Sequence, residues 1–222
     1  MNLDPALIMA MWAAGLSIAA AVVVWWRVVG TGYLWLAAGT SAGFGIIAAL
    51  SGGGLPSWLG AISAALAVFV PPVGATVLLG LGGVAHLSSI AMNGPIVLSL
   101  LGAASLGGIT SEMMLGHWFL IDPRLPRWSL HRLAAIGGAA AALDATALVL
   151  QGADLSSVTG IAFISLATTT VLLLVGVWFS LKEPSYTGVM AATGLSYLAT
   201  LTAVGAVVAG RADVSNIAGF PF

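Results

Sequence analysis

His86, Glu112, His117 and Asp144 are ionisable residues set inside long apolar runs, and His131 stands at the start of another such run. An ionisable group in hydrocarbon costs several kcal/mol unless it is paired or hydrated, so each is a candidate for proton, ion or cofactor chemistry. Counting helix rise from the nearest span ends puts His86 and Asp144 roughly 9–10 Å below the same membrane face. They are expected to meet there, the carboxylate accepting from the imidazole and easing the burial of both. Glu112 and His117 are about 140° apart around a helix, too far for one helix to offer both to one metal ion. Met113 and His117, at i and i+4, share a face. Histidine with methionine suits haem iron or a soft copper ion. His131 lies at nearly the depth of His117 across a short connection, so the two histidines could ligate one haem b. Arg124, Arg127 and Arg132 would then meet its propionates. A simpler account has these arginines orient the protein and touch anionic headgroups. A different chemistry strings Glu112, Tyr197, Asp144 and His86 into a proton or ion path.

The elements that hold these residues follow from composition. The chain of 222 residues is 60% hydrophobic and 6% charged, with a mean hydropathy of +1.11. Soluble domains carry about 25% charged residues. Here charge is too scarce to coat a water-facing surface, so the expectation is a single integral membrane domain over residues 1–222. A net charge of −1 without a basic stripe argues against nucleic acid. The absence of cysteine excludes thiol catalysis, disulfide exchange, thiolate-held iron–sulfur clusters and covalent c-type haem. Haem held by histidine or methionine is untouched by that exclusion. The opening Met-Asn-Leu-Asp-Pro lacks a basic region, so the first apolar run reads as a retained span rather than a cleaved leader.

Apolar runs able to cross ~30 Å of hydrocarbon are read at 5–26, 31–50, 57–71, 73–92, 94–120, 129–151, 157–181 and 186–210. The fold class expected is therefore all-α: a polytopic transmembrane bundle of eight spans with both termini outside. The uncertain cut is Leu55 to Met92, interrupted by Pro71-Pro72, where a break is expected. Charge decides it. With two spans there, Arg27, Arg124, Arg127, Arg132 and Lys182 all fall in cytoplasmic connections and only Arg211 lies outside, as the positive-inside bias requires. Trp25, Trp26, Trp35, Trp118, Trp128 and Trp178 then form an inner aromatic belt. The expected location is a bacterial-type cell membrane. Gly39 and Gly43 make a GxxxG face in the second span, read as ordinary close packing. Likeness among the second, sixth and eighth spans (Leu-Ala-Ala-Gly, Leu-Ala-Ala-Ile-Gly, Met-Ala-Ala-Thr-Gly) hints thinly at duplication.

Two motifs carry no chemistry. Gly39-Thr-Ser41-Ala-Gly43 matches G-x-S-x-G but lies mid-helix, where no nucleophile elbow forms. Lys182, the only lysine, lies in a connection rather than mid-span, so no retinal Schiff base is expected. The function expected is a membrane subunit or accessory protein of a respiratory, redox or cofactor-handling complex, with other membrane subunits and the bilayer as partners. It is not expected to catalyse a reaction on its own. The alternatives are a small proton-coupled transporter or channel using Glu112, Asp144 and His86, and a purely structural subunit.

Overall fold

The computed structural model describes residues 4–93 and 95–218. The described residues are helical, without strands. The helices are α1 (Pro5–Trp25), α2 (Thr31–Ala48), α3 (Gly54–Leu66), α4 (Pro72–Asn93), α5 (Ile96–Ile121), α6 (Arg127–Leu150), α7 (Val158–Lys182) and α8 (Tyr186–Ala218). A π turn (Ala49–Gly53) joins α2 to α3, and a 3₁₀ turn (Ala67–Phe69) ends α3. Seven helices are long and apolar enough to cross a membrane, with Thr31–Phe69 counted as one.

That 39-residue stretch is not straight. Gly52 has φ 112° and Gly54 φ 67°, conformations that side chains with a Cβ rarely adopt. The chain reverses there, and α2 and α3 pack side by side. Trp35 near the start of α2 meets Phe69 just past α3, their ring centroids 6.1 Å apart. Local signals set the other ends. Asp4 caps α1 by accepting from the Ala6 amide at 2.8 Å, with Pro5 at the first helical position. Ser157 does the same for α7 through the Gly160 amide at 2.8 Å. Pro71 and Pro72 turn the chain into α4.

The helices pack as two rings of four. In one, α1 contacts α2 and α4, while α3 contacts both of those. In the other, α5 contacts α6 and α8, while α7 contacts both of those. The rings meet where α1 crosses α5. This crossing is parallel: Leu7, Met11 and Ala14 cluster with Ala103 and Leu106, whereas Leu16, Val23 and Val24 cluster with Leu115 and Phe119. A Cβ on Gly15 would lie 1.8 Å from the Ala103 carbonyl oxygen, and one on Gly107 would lie 2.0 Å from the Gly15 carbonyl carbon. Backbone meets backbone, as small residues permit where lipid supplies no hydrophobic drive between helices. Gly39 and Gly43 play no such part, because a Cβ on either would meet open space. The GxxxG face expected to pack α2 is turned outward.

Several span boundaries differ from the sequence expectation. The third apolar run begins at Gly54 rather than 57, because the hairpin turns on glycines and not on Pro56. The sixth helix starts two residues early, at Arg127. The eighth runs on through Arg211 to Ala218, well past 210, with no proline before Pro221 to stop it.

Gly15→Val is therefore expected to destabilise the protein by about 1–3 kcal/mol or more, from forced backbone separation. Gly80→Val, where a Cβ meets open space, is expected to be near neutral. Thermal unfolding of the two variants in detergent checks this; equal melting temperatures would mean the crossing is not tight.

Candidate functional site

Three consecutive polar residues on α5 point to three different neighbours, because successive residues of a helix are about 100° apart. Thr110 accepts from the Trp12 indole on α1 at 2.8 Å. The Ser111 and Tyr33 hydroxyls, from α5 and α2, are 2.9 Å apart. Glu112 faces α8, where the Ser196 hydroxyl is the polar group that acts on it. The carboxyl is 1% exposed, and neither oxygen reaches a partner at hydrogen-bonding geometry.

The seam between α5 and α8 continues on either side of Glu112. Toward the C-terminal end of α5, the exposed His117 has its Nδ1 3.2 Å from the Tyr197 hydroxyl, with the rings edge to face. Met113 accepts from Thr200 through its sulfur at 3.6 Å. Gly116 lets α8 approach, since a Cβ there would lie 2.8 Å from the Thr193 hydroxyl oxygen. Thr193, Ser196 and Thr200 donate to the carbonyls of Val189, Ala192 and Ser196, one turn back on their own helix. The Thr193 and Ser196 protons are thus committed to their own helix, whereas Thr200 divides its proton between the Ser196 carbonyl and the Met113 sulfur on α5.

Toward the other end of this ring stands an ion pair. Arg211 donates to both Asp144 oxygens, at 2.9 and 3.1 Å, and to the carbonyls of Leu98 and Val207 at 2.7 and 3.3 Å. Both residues are buried, and the bidentate geometry is the strong form of this contact. One guanidinium thereby ties α5, α6 and α8 together. Gly102 makes room for it, because a Cβ there would lie 2.3 Å from a guanidinium nitrogen. A cavity of about 10 Å³ beside Asp144, lined also by Ser105 and Thr170, matches a single water. Two residues on, Asp213 accepts from the Asp154 amide and the Ser157 hydroxyl, each at 2.6 Å. Asp154 itself accepts from the Ser156 hydroxyl and amide, which hold its carboxyl below the usual range.

The expected pairing of His86 with Asp144 does not form. Asp144 is taken by Arg211, a residue that the sequence reading left in the tail beyond the last span. His86 lies in the other ring, wholly buried, with neither ring nitrogen hydrogen-bonded. Its imidazole fills a notch between α2 and α3, where a Cβ on Gly45 or Gly60 would come within 2.6 Å of it.

The histidines expected to share a haem face different seams. His117 meets Tyr197 on α8, whereas His131 packs on Trp178 of α7 at 4.7 Å between centroids. Arg127 is not free for a propionate: it donates to the carbonyls of Glu183, of Pro184 at 2.6 Å and of Ser185 at 2.9 Å. Arg132 lies over the Trp128 ring at 4.7 Å. A shared haem would require both histidine rings and Arg127 to leave these partners, so the residues as arranged do not fit that group. No group of three or more metal-ligating His, Cys, Asp or Glu residues occurs among the described residues. Tyr33, Ser196 and Arg211 were missed by sequence reasoning. Only Arg211 had a legible signal: it follows Ala203 and Val207 at i+4 steps in a run without a helix stop.

No family model, curated protein or solved structure matches this chain.

Removing one partner of a buried pair leaves an uncompensated charge and costs about 3–5 kcal/mol. Arg211→Met is expected to lose that much stability, and Asp144→Asn combined with Arg211→Met markedly less. A double-mutant cycle on thermal unfolding checks it; additive losses would mean that the two side chains act independently.

Proposed function

We propose that this chain is a multi-pass membrane protein whose α5–α8 ring conducts or couples the movement of protons or a small cation. The observation that carries this reading is Glu112, a carboxyl buried mid-helix beside the Ser196 hydroxyl, with no counter-charge and no partner at hydrogen-bonding geometry among the described residues. An unpaired carboxylate in hydrocarbon is costly enough that the site asks for a cation, a proton being the smallest. The neighbouring hydroxyls favour the same occupant. With the Thr193 and Ser196 protons committed to α8 carbonyls, these two offer acceptors to whatever sits between them and Glu112. The exposed His117–Tyr197 pair lies at one end of the seam, and the Asp144–Arg211 pair with its water-sized cavity lies toward the other. His86 falls outside this path.

The topology that we propose has eight crossings with both termini outside. It is supported by the parallel α1–α5 crossing, which requires an even number of reversals, four if α2, α3 and α4 each cross, and by the return of the α3 end to the start of α2. Positive-inside bias gives the orientation, and the setting is a cell membrane of the bacterial type.

In proteoliposomes, Glu112→Gln is expected to lower pH-driven flux at least about tenfold, with Glu112→Asp retaining part of it. Flux unchanged in Glu112→Gln would overturn the path. The absence of cysteine makes topology directly readable. Ser51→Cys and Ser156→Cys are expected to react with an impermeant thiol reagent from outside, and Ser185→Cys only after permeabilisation. Ser51→Cys shielded from both sides would refute the eight-crossing arrangement.

A further inference from the structure

At the inner end of the first ring, the α1–α2 connection and the Pro71-Pro72 turn leave a cavity of about 490 Å³ between them. Its walls are apolar, with Val24, Leu34, Val68 and Val70 facing inward. Arg27 is the one charged residue among those lining it, and no acidic residue lines it. The guanidinium leaves the end of α1 from a left-handed backbone position, φ 56°. Among the described residues, Arg127 is held by carbonyls, Arg132 by Trp128 and Lys182 by Phe179. Arg27 has no such partner. The exposed Trp25 and Trp35 flank this region, Trp35 against Phe69, and tryptophan marks the headgroup level of a bilayer.

We infer that this cavity binds one anionic phospholipid of the inner leaflet. Its phosphate would meet Arg27 and the Thr31 hydroxyl, and the upper part of an acyl chain would lie against Leu34, Val68 and Val70. Three features select this occupant. The cation is uncompensated, so an occupant with net negative charge is favoured over a zwitterion. The volume lies in the range of small-molecule sites and exceeds what a free inorganic anion needs. The apolar wall would be wasted on a free anion and suits a chain. The inference goes beyond the proposed path, from which the cavity is separate, being in the other ring.

The test is native mass spectrometry of the detergent-solubilised protein titrated with phosphatidylglycerol, with phosphatidylcholine of the same chains, and with inorganic phosphate. One phosphatidylglycerol is expected to be retained about fivefold more tightly than phosphatidylcholine. Arg27→Gln is expected to remove that preference, and Arg132→Gln, at the same face but engaged with Trp128, to leave it intact. Val68→Phe, which narrows the cavity without altering charge, is expected to weaken retention of either lipid. Equal retention of the two lipids by the unaltered protein would overturn the inference without recourse to any variant. So would an equal loss in Arg132→Gln, which would signal only the general charge of the inner face. Displacement of the lipid by millimolar inorganic phosphate would instead assign the site to a free anion.

Discussion

Hydrocarbon surrounds this bundle on its outside and fills most of its inside, so helices gain little from hiding apolar surface. Everything that holds the eight helices in register must come from something else. Here it is backbone contact and polar pairing. The Gly15–Gly107 crossing brings two main chains together without side chains between them. The serines, threonines and tyrosine buried beside it hydrogen-bond across helices or to their own carbonyls. The exterior is the mirror of this arrangement, with Leu59, Ile62, Leu81, Val84, Leu172 and Leu201 exposed. The interior is mostly apolar as well, and the buried polar groups are scattered through it in pairs, so that the inside and the outside differ less than in a soluble domain.

The two-ring arrangement explains why α5 carries the candidate chemistry. It is packed on α1, α6 and α8 at once, so most of its circumference is enclosed, and a polar residue on almost any face meets another helix. Thr110, Ser111 and Glu112 use three of those faces. Two find hydrogen bonds and one does not. In a bundle where nearly every buried hydroxyl is satisfied, the Glu112 carboxyl departs from the pattern, as the His86 imidazole does in the other ring, and asks for a functional account.

Much of the fold was legible because length and charge are coarse signals that bilayers enforce strictly. The apolar runs fell within a few residues of the helices except at the end of α8, and two of the tryptophans expected to share one belt, Trp26 and Trp128, meet at 5.1 Å. What was illegible was lateral. Depth along a helix can be counted from its ends, but which neighbour a residue faces depends on packing that sequence does not display. His86 and Asp144, expected at one depth, belong to different rings. Met113 and His117 do share the face that helix periodicity assigned them, while their neighbours could not be inferred. Arg211 was lost for a different reason: a charge near an apolar boundary was taken as the end of the helix, whereas its carboxylate partner on α6 makes burial affordable.

Arg127 shows how one residue can serve at two different times. Orientation in a membrane is decided as spans enter it, when a basic residue acts through its net charge alone and has no tertiary neighbours. Only later, when α6 docks against α7 and α8, do the Glu183, Pro184 and Ser185 carbonyls come within reach of its guanidinium. On the proposed orientation, the charge that retains the hairpin on one side then serves as a staple between two connections. A lysine could fulfil the first role and, lacking the planar fork, would serve the second poorly. Insertion and assembly thus place separate demands on the same position, and only arginine meets both.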